Sequence, residues 1–310
     1  MSENRIVIIG AGHVGSHCAS ALAREQVAGQ IVLLDTLPEK AAAQAADVAD
    51  SVSFMPAPVT VRAGDYGDCD KADLVVVCVG QPRLPGQTRL DMLADSVVRV
   101  RDVAAHLKKT AFGGIVITIT NPADIIADCM RKELGVKRWR CFGTGTLLDT
   151  ARLLRTLGEL TGVDRRSIHA FSMGEHGDSS MIPFSHISVG GIPFERLAGI
   201  SKEAVLARTR VIGTEIIDGK GSTEFGIGLA LATMARAVLN DEKRVLPASV
   251  LLDGEYKQRG VHCGVPCVLG RGGIEKILEL DLTPSEQSQL DASCEVIRRH
   301  IALADAQERV

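Results

Sequence analysis

The amino-acid sequence predicts an α/β protein in which a doubly wound parallel sheet precedes an α+β second domain. The first half alternates short β-branched runs with Ala-rich helical stretches, a pattern typical of strand–helix–strand crossovers and a parallel sheet. Apolar runs such as residues 74–79 fit strands that are buried on both faces. The pattern changes after Gly143. Because 310 residues correspond to about two domains, we expect a first domain over residues 1–143 and a second over residues 144–310.

The first half divides into strands and helices of ordinary length. Pro38 suits the first position of a helix, and Asn121-Pro122 ends the strand that precedes it. The predicted strands cover residues 5–9, 31–34, 59–61, 74–79, 115–120 and 140–142. The predicted helices cover residues 12–28, 38–48, 89–109 and 123–134.

The second half predicts long helices, a hairpin and antiparallel strands. The hairpin turn is expected at Val189-Gly-Gly-Ile-Pro193, because paired glycines permit the backbone conformations of tight turns. The predicted strands cover residues 245–253 and 265–269. The predicted helices cover residues 147–160, 202–218, 223–239 and 284–304.

The overall composition excludes several classes of protein. Apolar residues make up 45% and charged residues 24% of the chain, which is an ordinary globular balance and not that of a disordered chain. A net charge of −3 implies no nucleic-acid partner. The longest glycine-free apolar run, residues 74–79, is too short to span a membrane. The N-terminal residues lack the pattern of a signal peptide.

The cysteines predict a reduced, cytoplasmic protein. The chain has 8 cysteines, and none forms a Cys-x-x-Cys pair. Only His262, Cys263 and Cys267 approach the spacing of metal ligands. Since no second pair completes a set of four ligands, we expect no metal site.

A glycine-rich loop between the first strand and the first helix predicts a dinucleotide site. In Gly10-Ala-Gly12-His-Val-Gly15, the first glycine permits a tight turn and the second lets a pyrophosphate approach the backbone. Gly15 allows the helix to pack closely on the strand, and the helix N-terminus faces the phosphates. Asp35 ends the second strand, where its carboxylate can bind the ribose hydroxyls and repel a 2′-phosphate. We therefore predict NAD as the cofactor, in preference to NADP.

Three further segments carry residue types that catalysis uses. Arg89 follows a Gly-containing loop and begins a helix, and Asp149 and Arg152 lie three residues apart on one helix face. His176 has a glycine close on each side, so the backbone can bend towards a ligand. Taken singly, such a histidine is more often an ordinary loop residue, and such an Asp–Arg pair a surface ion pair. Their joint occurrence favours a catalytic site.

At these segments the sequence resembles the L-lactate/L-malate dehydrogenase family. The matching motifs occur in the family's order, and together with the order of elements the resemblance covers nearly the whole chain. The matching motifs are Gly10-Ala-Gly-His-Val-Gly15, Thr120-Asn-Pro122, Gly143-Thr-Gly-Thr-Leu-Leu-Asp-Thr-Ala-Arg152 and Gly174-Glu-His-Gly-Asp-Ser179. The resemblance implies a Rossmann domain followed by a catalytic domain, and reversible hydride transfer between NADH and a small 2-keto acid. We also expect a homo-oligomer, either a dimer or a tetramer.

The resemblance assigns a role to each matching residue. His176 would be the proton donor, and Asp149 would orient its imidazole and stabilise the charged form. Arg152 would bind the substrate carboxylate with both arms of its guanidinium. Arg89 would polarise the substrate carbonyl once its loop closes. Asn121 would lie beside the nicotinamide and the substrate oxygen.

Two positions give conflicting indications of the substrate. Arg83 occupies the loop position that is usually Arg in the malate branch and Gln in the lactate branch. Thr223 matches a substrate-pocket threonine of lactate enzymes, and the motifs around it and around His176 also resemble that branch. Because Arg83 could pair with a second substrate carboxylate, we predict a preference for oxaloacetate and malate. The alternative is pyruvate and lactate, with Arg83 in solvent.

Two other kinds of function agree less well with these residues. A catalytically silent NAD-binding protein is disfavoured by the full set of catalytic residue types. An NAD-dependent glycosidase would need a Cys–His metal motif, and Cys263 and Cys267 do not lie in one.

The resemblance also bears on regulation. Lactate dehydrogenases activated by fructose bisphosphate carry an Arg where this chain has Leu154, while His169 matches the partner histidine of that Arg. We predict little or no activation, although Arg155 lies next to the missing cation.

Overall fold

The computed structural model describes residues 4–56, 58–80 and 89–306, with side chains given for all of these except residues 89–92 and 306. Its main feature is one mixed sheet that runs through both halves of the chain. In order along the sheet, the strands are β12 (Gly273–Ile277), β11 (Arg259–Gly270), β10 (Arg244–Asp253), β6 (Cys141–Gly143), β5 (Ile115–Thr118), β4 (Leu74–Val77), β1 (Arg5–Ile9), β2 (Gln30–Leu34) and β3 (Thr60–Ala63).

The six strands of the first half of the chain, β1 to β6, form the predicted doubly wound parallel sheet. β1 pairs in parallel with β2 on one side and with β4 on the other, so the strand order reverses at β1. In open α/β sheets of this kind, ligands bind beyond the carboxyl ends of the strands at this switch point. The loop after Ile9 is therefore the place where the topology itself favours a ligand.

The strands of the second half extend the same sheet in the antiparallel direction. β10 pairs with β6 through Ser249 and Gly143, and β11 and β12 follow beside it. A second, small sheet contains β7 (Ile168–His169), β8 (Ser188–Val189) and β9 (Ile192–Pro193), and its last two strands form the predicted hairpin. The proposed division between residues 143 and 144 thus falls where one hydrogen-bonded sheet continues.

Eight α-helices cover the sheet and the second half within the described ranges. Short residue signals explain their ends: Pro38 begins α2, and Gly135 and Gly162 follow α4 and α5 in the left-handed conformation that ends helices. The helices are α1 (His13–Arg24), α2 (Pro38–Val52), α3 (Arg89–Leu107), α4 (Ala123–Leu134), α5 (Leu147–Thr161), α6 (Lys202–Lys220), α7 (Phe225–Leu239) and α8 (Pro284–Ala306). Within the described residues, no helix combines the length and apolar content that a membrane crossing needs.

Several sequence-based boundaries were wrong. α2 continues four residues beyond residue 48 and β5 ends two residues before residue 120, and three further differences have a local reason. α1 ends at Arg24 and not near residue 28, because Gln26 takes a positive φ of 52° that no helix continues through. β4 ends at Val77, two residues early, as the chain turns to pass beneath the glycine-rich loop. β11 begins six residues earlier than predicted. Gly260 and His262 interrupt the apolar pattern at its start, although the segment pairs with β10 along its length.

Two separate apolar clusters hold the fold together. The larger surrounds the sheet, where β-branched side chains of β1, β2, β4 and β5 are buried on both faces. The smaller packs α5 and α6 against the small sheet, with Leu153, Leu157 and Val205 fully buried. One face of α5 is therefore fixed in this cluster, and its first turn is directed towards the main sheet.

Candidate active site

Two of the predicted catalytic residues, His176 and Asp149, and the predicted substrate-binding Arg152 form one hydrogen-bonded chain. The Nδ1 atom of His176 lies 2.6 Å from Oδ2 of Asp149, and Oδ1 of Asp149 accepts a hydrogen bond from Nη1 of Arg152 at 3.0 Å. The side chain of His176 is 24% exposed to solvent, and those of Asp149 and Arg152 are each 16% exposed. The group is thus partly sheltered and still reachable by a small molecule.

The electrostatics of the group favour a charged imidazole. Burial opposes the charged form of His176, but the Asp149 carboxylate, through its charge and hydrogen bond, outweighs it, so the pKa is raised above the ordinary histidine value. Burial likewise opposes the Asp149 carboxylate, and His176 together with Arg152 lowers the pKa of Asp149 below its ordinary value. A histidine with a raised pKa can hold a proton near neutral pH and still release it.

The first turn of α5 is anchored to the strand segment that leads to His176. Thr146 donates a hydrogen bond from Oγ1 to the carbonyl of Ser172 at 2.6 Å, and Oγ1 of Thr150 accepts one from the amide of Ser172 at 2.9 Å. Both bonds are buried. They fix the register between Asp149 on the helix and His176, which follows Ser172 by four residues.

Each of the three residues 174, 175 and 176 is attached to a different element of the fold. Gly174 exchanges two backbone hydrogen bonds of 2.9 Å with Gly264 of β11. The amide of Glu175 donates to Oγ of Ser293 on α8 at 2.8 Å, and the amide of His176 donates to Oδ2 of Asp124 on α4 at 2.8 Å. These attachments hold the imidazole in place on the backbone side, and Asp149 holds it on the ring side.

Asp124 is a site residue that the sequence analysis missed. It is buried, and its second oxygen accepts a hydrogen bond from Oγ of Ser249 at 2.5 Å. Burial raises the pKa of Asp124 to about 6, against the lowering effect of Ser249 and the His176 amide. The one signal in the sequence was its place in the first turn of α4, directly after the Thr120-Asn-Pro122 motif.

The glycine-rich loop has the steric character that a phosphate-binding loop needs. Gly10 has a φ of 104°, and a side chain there would meet the Cys78 carbonyl at 2.6 Å. A side chain at Gly15 would collide with the Gly10 carbonyl at 1.8 Å. At Gly12, by contrast, the nearest atom is Nζ of Lys40 at 4.0 Å, so the backbone there is open on the outer side.

The charged groups beside this loop also fit a dinucleotide. Asp35 accepts hydrogen bonds from the amides of Ala11 at 2.8 Å and Leu37 at 3.2 Å, which aim its carboxylate across the loop. Lys40, which the sequence analysis missed, lies 3.7 Å from that carboxylate and beside the open face of Gly12. The first amides of α1 have no intrahelical partners and no side-chain cap. The glycine-rich loop, the first amides of α1 and Lys40 could hold the phosphates of a dinucleotide. The carboxylate of Asp35 could bind a ribose.

The remaining predicted residues are placed less completely. Arg83 lies outside the described residues, as does the Arg89 side chain, although the Arg89 backbone begins α3. Asn121 is exposed at the end of β5, where its carbonyl accepts a hydrogen bond from Ser96, and Thr223 is half-buried just before α7. Hence the hydrogen-bonded group contains His176, Asp149 and Arg152, and the described residues Asn121 and Thr223 lie outside it.

The thiols and imidazoles of the second half do not form a metal site in the described part of the chain. Among those residues, no group of three or more His, Cys, Asp or Glu side chains is arranged to hold a metal ion. His262 is buried and pairs with Asp128, while the Cys263 sulfur lies 3.7 Å from that of Cys294. This part of the sheet is a packed interior.

Comparison with known families covers nearly the whole chain. The NAD-binding domain of lactate/malate dehydrogenases matches residues 4–143, and the alpha/beta C-terminal domain of the same enzymes matches residues 146–308. The chain belongs to the lactate/malate dehydrogenase family. As a member of this family it is an NAD-dependent oxidoreductase, and the predicted Rossmann domain and NAD cofactor are confirmed.

Individual family members are similar over their full length. The L-lactate dehydrogenase 1 of Bifidobacterium longum subsp. longum is 39% identical over 308 residues, covering 97% of this chain and 98% of the relative. The L-lactate dehydrogenase of Fusobacterium nucleatum is 37% identical over 309 residues, covering 97% of each. The crystal structure of the minor L-lactate dehydrogenase of Enterococcus mundtii, in its ligands-bound form, superposes with a TM-score of 0.95 at 33% identity and covers 97% of this chain and 98% of its own.

Proposed function

We propose that this lactate/malate dehydrogenase family member reduces pyruvate to L-lactate with NADH, and catalyses the reverse reaction. The observation that carries the proposal is the hydrogen-bonded chain of His176, Asp149 and Arg152, which combines a proton donor, its orienting carboxylate and a carboxylate-binding cation. The names of the relatives, which are L-lactate dehydrogenases, favour pyruvate over oxaloacetate.

The three side chains divide the work on a 2-keto acid. Arg152 would bind the substrate carboxylate through the part of its guanidinium that Asp149 leaves free. Because Nδ1 of His176 faces Asp149, the other ring nitrogen, Nε2, is the one that would donate a proton to the keto oxygen. Bound NADH supplies the hydride for the carbonyl carbon. In the reverse direction, neutral His176 would accept the hydroxyl proton, and Asp149 would stabilise the imidazolium that forms.

Three further roles extend this proposal on the basis of the family resemblance. Arg89 would polarise the substrate carbonyl from the loop that precedes α3. Asn121 would contact the nicotinamide side of the site from the end of β5. Thr223 would line the pocket around the substrate methyl group.

Oxaloacetate is a second candidate substrate because of Arg83. If this arginine enters the closed site, it would be a buried, unpaired cation opposite the methyl group of pyruvate, which costs about 3–5 kcal/mol. Opposite oxaloacetate it would pair with the second carboxylate. Pyruvate reduction therefore requires that Arg83 remain in solvent when the site closes.

The direct test is to follow NADH oxidation by the purified enzyme with pyruvate and with oxaloacetate under the same conditions. The proposal predicts that kcat/KM for pyruvate equals or exceeds that for oxaloacetate. A preference for oxaloacetate of about a hundredfold, the ratio that about 3 kcal/mol would produce, would instead identify a malate dehydrogenase. No oxidation with any 2-keto acid would contradict both.

The proposal includes a homo-oligomer, and one surface supports it. A groove of about 560 Å³ lies between α1, α2 and α7, where Phe225 is 71% exposed and Leu229 is 51% exposed. Its rim carries both Arg24 and Asp47, so it can complement a second copy of itself around a two-fold axis. Leu229→Asp should place a charge in the interface and dissociate the oligomer, which lowers the sedimentation coefficient. Leu160→Asp, at an exposed leucine of α5, should leave the sedimentation coefficient unchanged. Equal sedimentation of Leu229→Asp and wild type would show that this groove is not the interface.

A further inference from the structure

Gly213 packs against the guanidinium group of Arg152. It lies in the interior of α6, away from the bends where glycine is usually required. A Cβ atom at this position would lie 3.2 Å from Nη1, 3.3 Å from Cζ and 3.3 Å from Nη2 of Arg152. All three atoms belong to the planar fork that would bind the substrate carboxylate. The backbone of α6 thus forms a wall against one side of that fork.

The contact belongs to an ordered crossing between α5 and α6. One turn further along α5 from Arg152 is the buried Thr156, and one turn back along α6 from Gly213 is the buried Thr209. Oγ1 of Thr209 donates a hydrogen bond to Oγ1 of Thr156 at 3.3 Å. The helices are therefore pinned one turn away, and α6 cannot easily move back to make room for a larger residue at position 213.

Few hydrogen bonds to side chains of the described residues fix the position of the guanidinium. Its one hydrogen bond to a side chain runs from Nη1 to Asp149. The Nε atom is buried and has no hydrogen-bond partner among those residues. One hydrogen bond at Nη1 does not fix the orientation of the fork, so packing, including the close approach of Gly213, must contribute to it.

We propose that Gly213 is a positioning residue that sets the placement of the Arg152 fork for the substrate carboxylate. The inference rests on the proposed function, in which Arg152 binds that carboxylate. A methyl group at position 213 would push the fork a few tenths of an ångström away from α6 and towards the substrate. Glycine is otherwise a poor choice in a helix interior, where alanine is the better helix former.

The test compares Gly213→Ala with Gly219→Ala, a substitution in the same helix whose added Cβ would meet nothing within 4 Å. Both variants should keep or raise the melting temperature, because both replace a helical glycine. With pyruvate and saturating NADH, Gly213→Ala should raise KM about three- to tenfold, since small misplacements of a binding group cost activity steeply. Its kcat and NADH affinity should change little, and Gly219→Ala should leave all of these values as in wild type.

A double-mutant comparison tests whether the effect passes through the fork. Lysine has a compact ammonium group and no planar fork, so in an Arg152→Lys background Gly213→Ala should cause no further rise in KM. The inference is overturned if Gly213→Ala leaves the KM for pyruvate within about twofold of wild type, or if the rise is equal in both backgrounds. Failure of the proposed function would be a different result, namely a wild-type enzyme that reduces no 2-keto acid. Failure of the inference about Gly213 alone would leave wild-type pyruvate reduction intact.

Discussion

His176 and Asp149 form a 2.6 Å hydrogen bond between Nδ1 of the ring and Oδ2 of the carboxylate, across 27 residues of sequence. The bond leaves Nε2 as the ring nitrogen available to a substrate. The backbone of His176 is held independently by Asp124, so ring and main chain are oriented from opposite sides. The catalytic proposal depends on this arrangement.

Replacing His176 by Ala should reduce turnover of the keto acid by about 100- to 10,000-fold, the range that general acid catalysis contributes. NADH should still bind, because the glycine-rich loop lies on another part of the fold. Steady-state rates and titration of NADH fluorescence measure the two effects. His186→Ala is the matched control, since its ring bonds only the Asp281 carbonyl among the described residues. A wild-type rate in His176→Ala would remove this residue from the mechanism.

Replacing Asp35 by Ser should narrow the preference for NADH over NADPH. The carboxylate that Ala11 and Leu37 orient would no longer repel a 2′-phosphate, and the nearby Lys40 would then attract one. The ratio of kcat/KM for the two cofactors measures the effect, with Asp50→Ser on the exposed face of α2 as control. If wild type already prefers NADPH, the role given to Asp35 is wrong.

Replacing Arg83 by Gln should leave the ratio of pyruvate to oxaloacetate reduction nearly unchanged, if Arg83 stays in solvent as pyruvate reduction requires. The alternative substrate makes the opposite prediction: the same change would reverse a preference for oxaloacetate by removing the pairing charge. Measuring kcat/KM for both acids in wild type and variant decides between them, and a shift of about tenfold or more towards pyruvate would show that Arg83 contacts the substrate.

Fructose bisphosphate should activate the enzyme little or not at all. Leu154 stands where activated relatives carry an arginine, and the adjacent Arg155 is already paired with Glu159 at 2.7 Å. A phosphate site without a bidentate cation binds weakly. Rates at subsaturating pyruvate, with and without the sugar bisphosphate, test this. Strong activation at sub-millimolar concentration that is lost in Arg155→Ala would show that Arg155 supplies the missing charge.

Local signals were sufficient to predict the parallel half of the fold. The bounds of α4 were predicted to the residue, since Pro122 precedes it and Gly135 ends it. β12 and the start of β11 were not predicted, because their own apolar pattern is weak. The start of β11 is a strand through its pairing with β10, and β12 through its pairing with β11. Such pairing depends on a neighbouring strand and leaves no apolar pattern in the segment itself.

The same division holds for the candidate site. His176, Asp149 and Arg152 were found because each stands in a compact motif, and the structure brings them into contact. Asp124 and Gly213 were missed, because their importance lies in contacts with residues 52 and 61 positions away that no local pattern records. A helical glycine, in particular, gives no indication in sequence of what its missing side chain makes room for.

The most direct test of the account is the pH dependence of pyruvate reduction in wild type and in Asp149→Asn. The charged imidazole is the active form, so kcat/KM should be constant at low pH and fall as pH rises through the raised pKa of His176. Without the carboxylate that stabilises the charge, this fall should occur at a pH lower by about one unit or more, and the plateau rate should be reduced. The same midpoint in both proteins would contradict the claim that Asp149 sustains His176 as the proton donor.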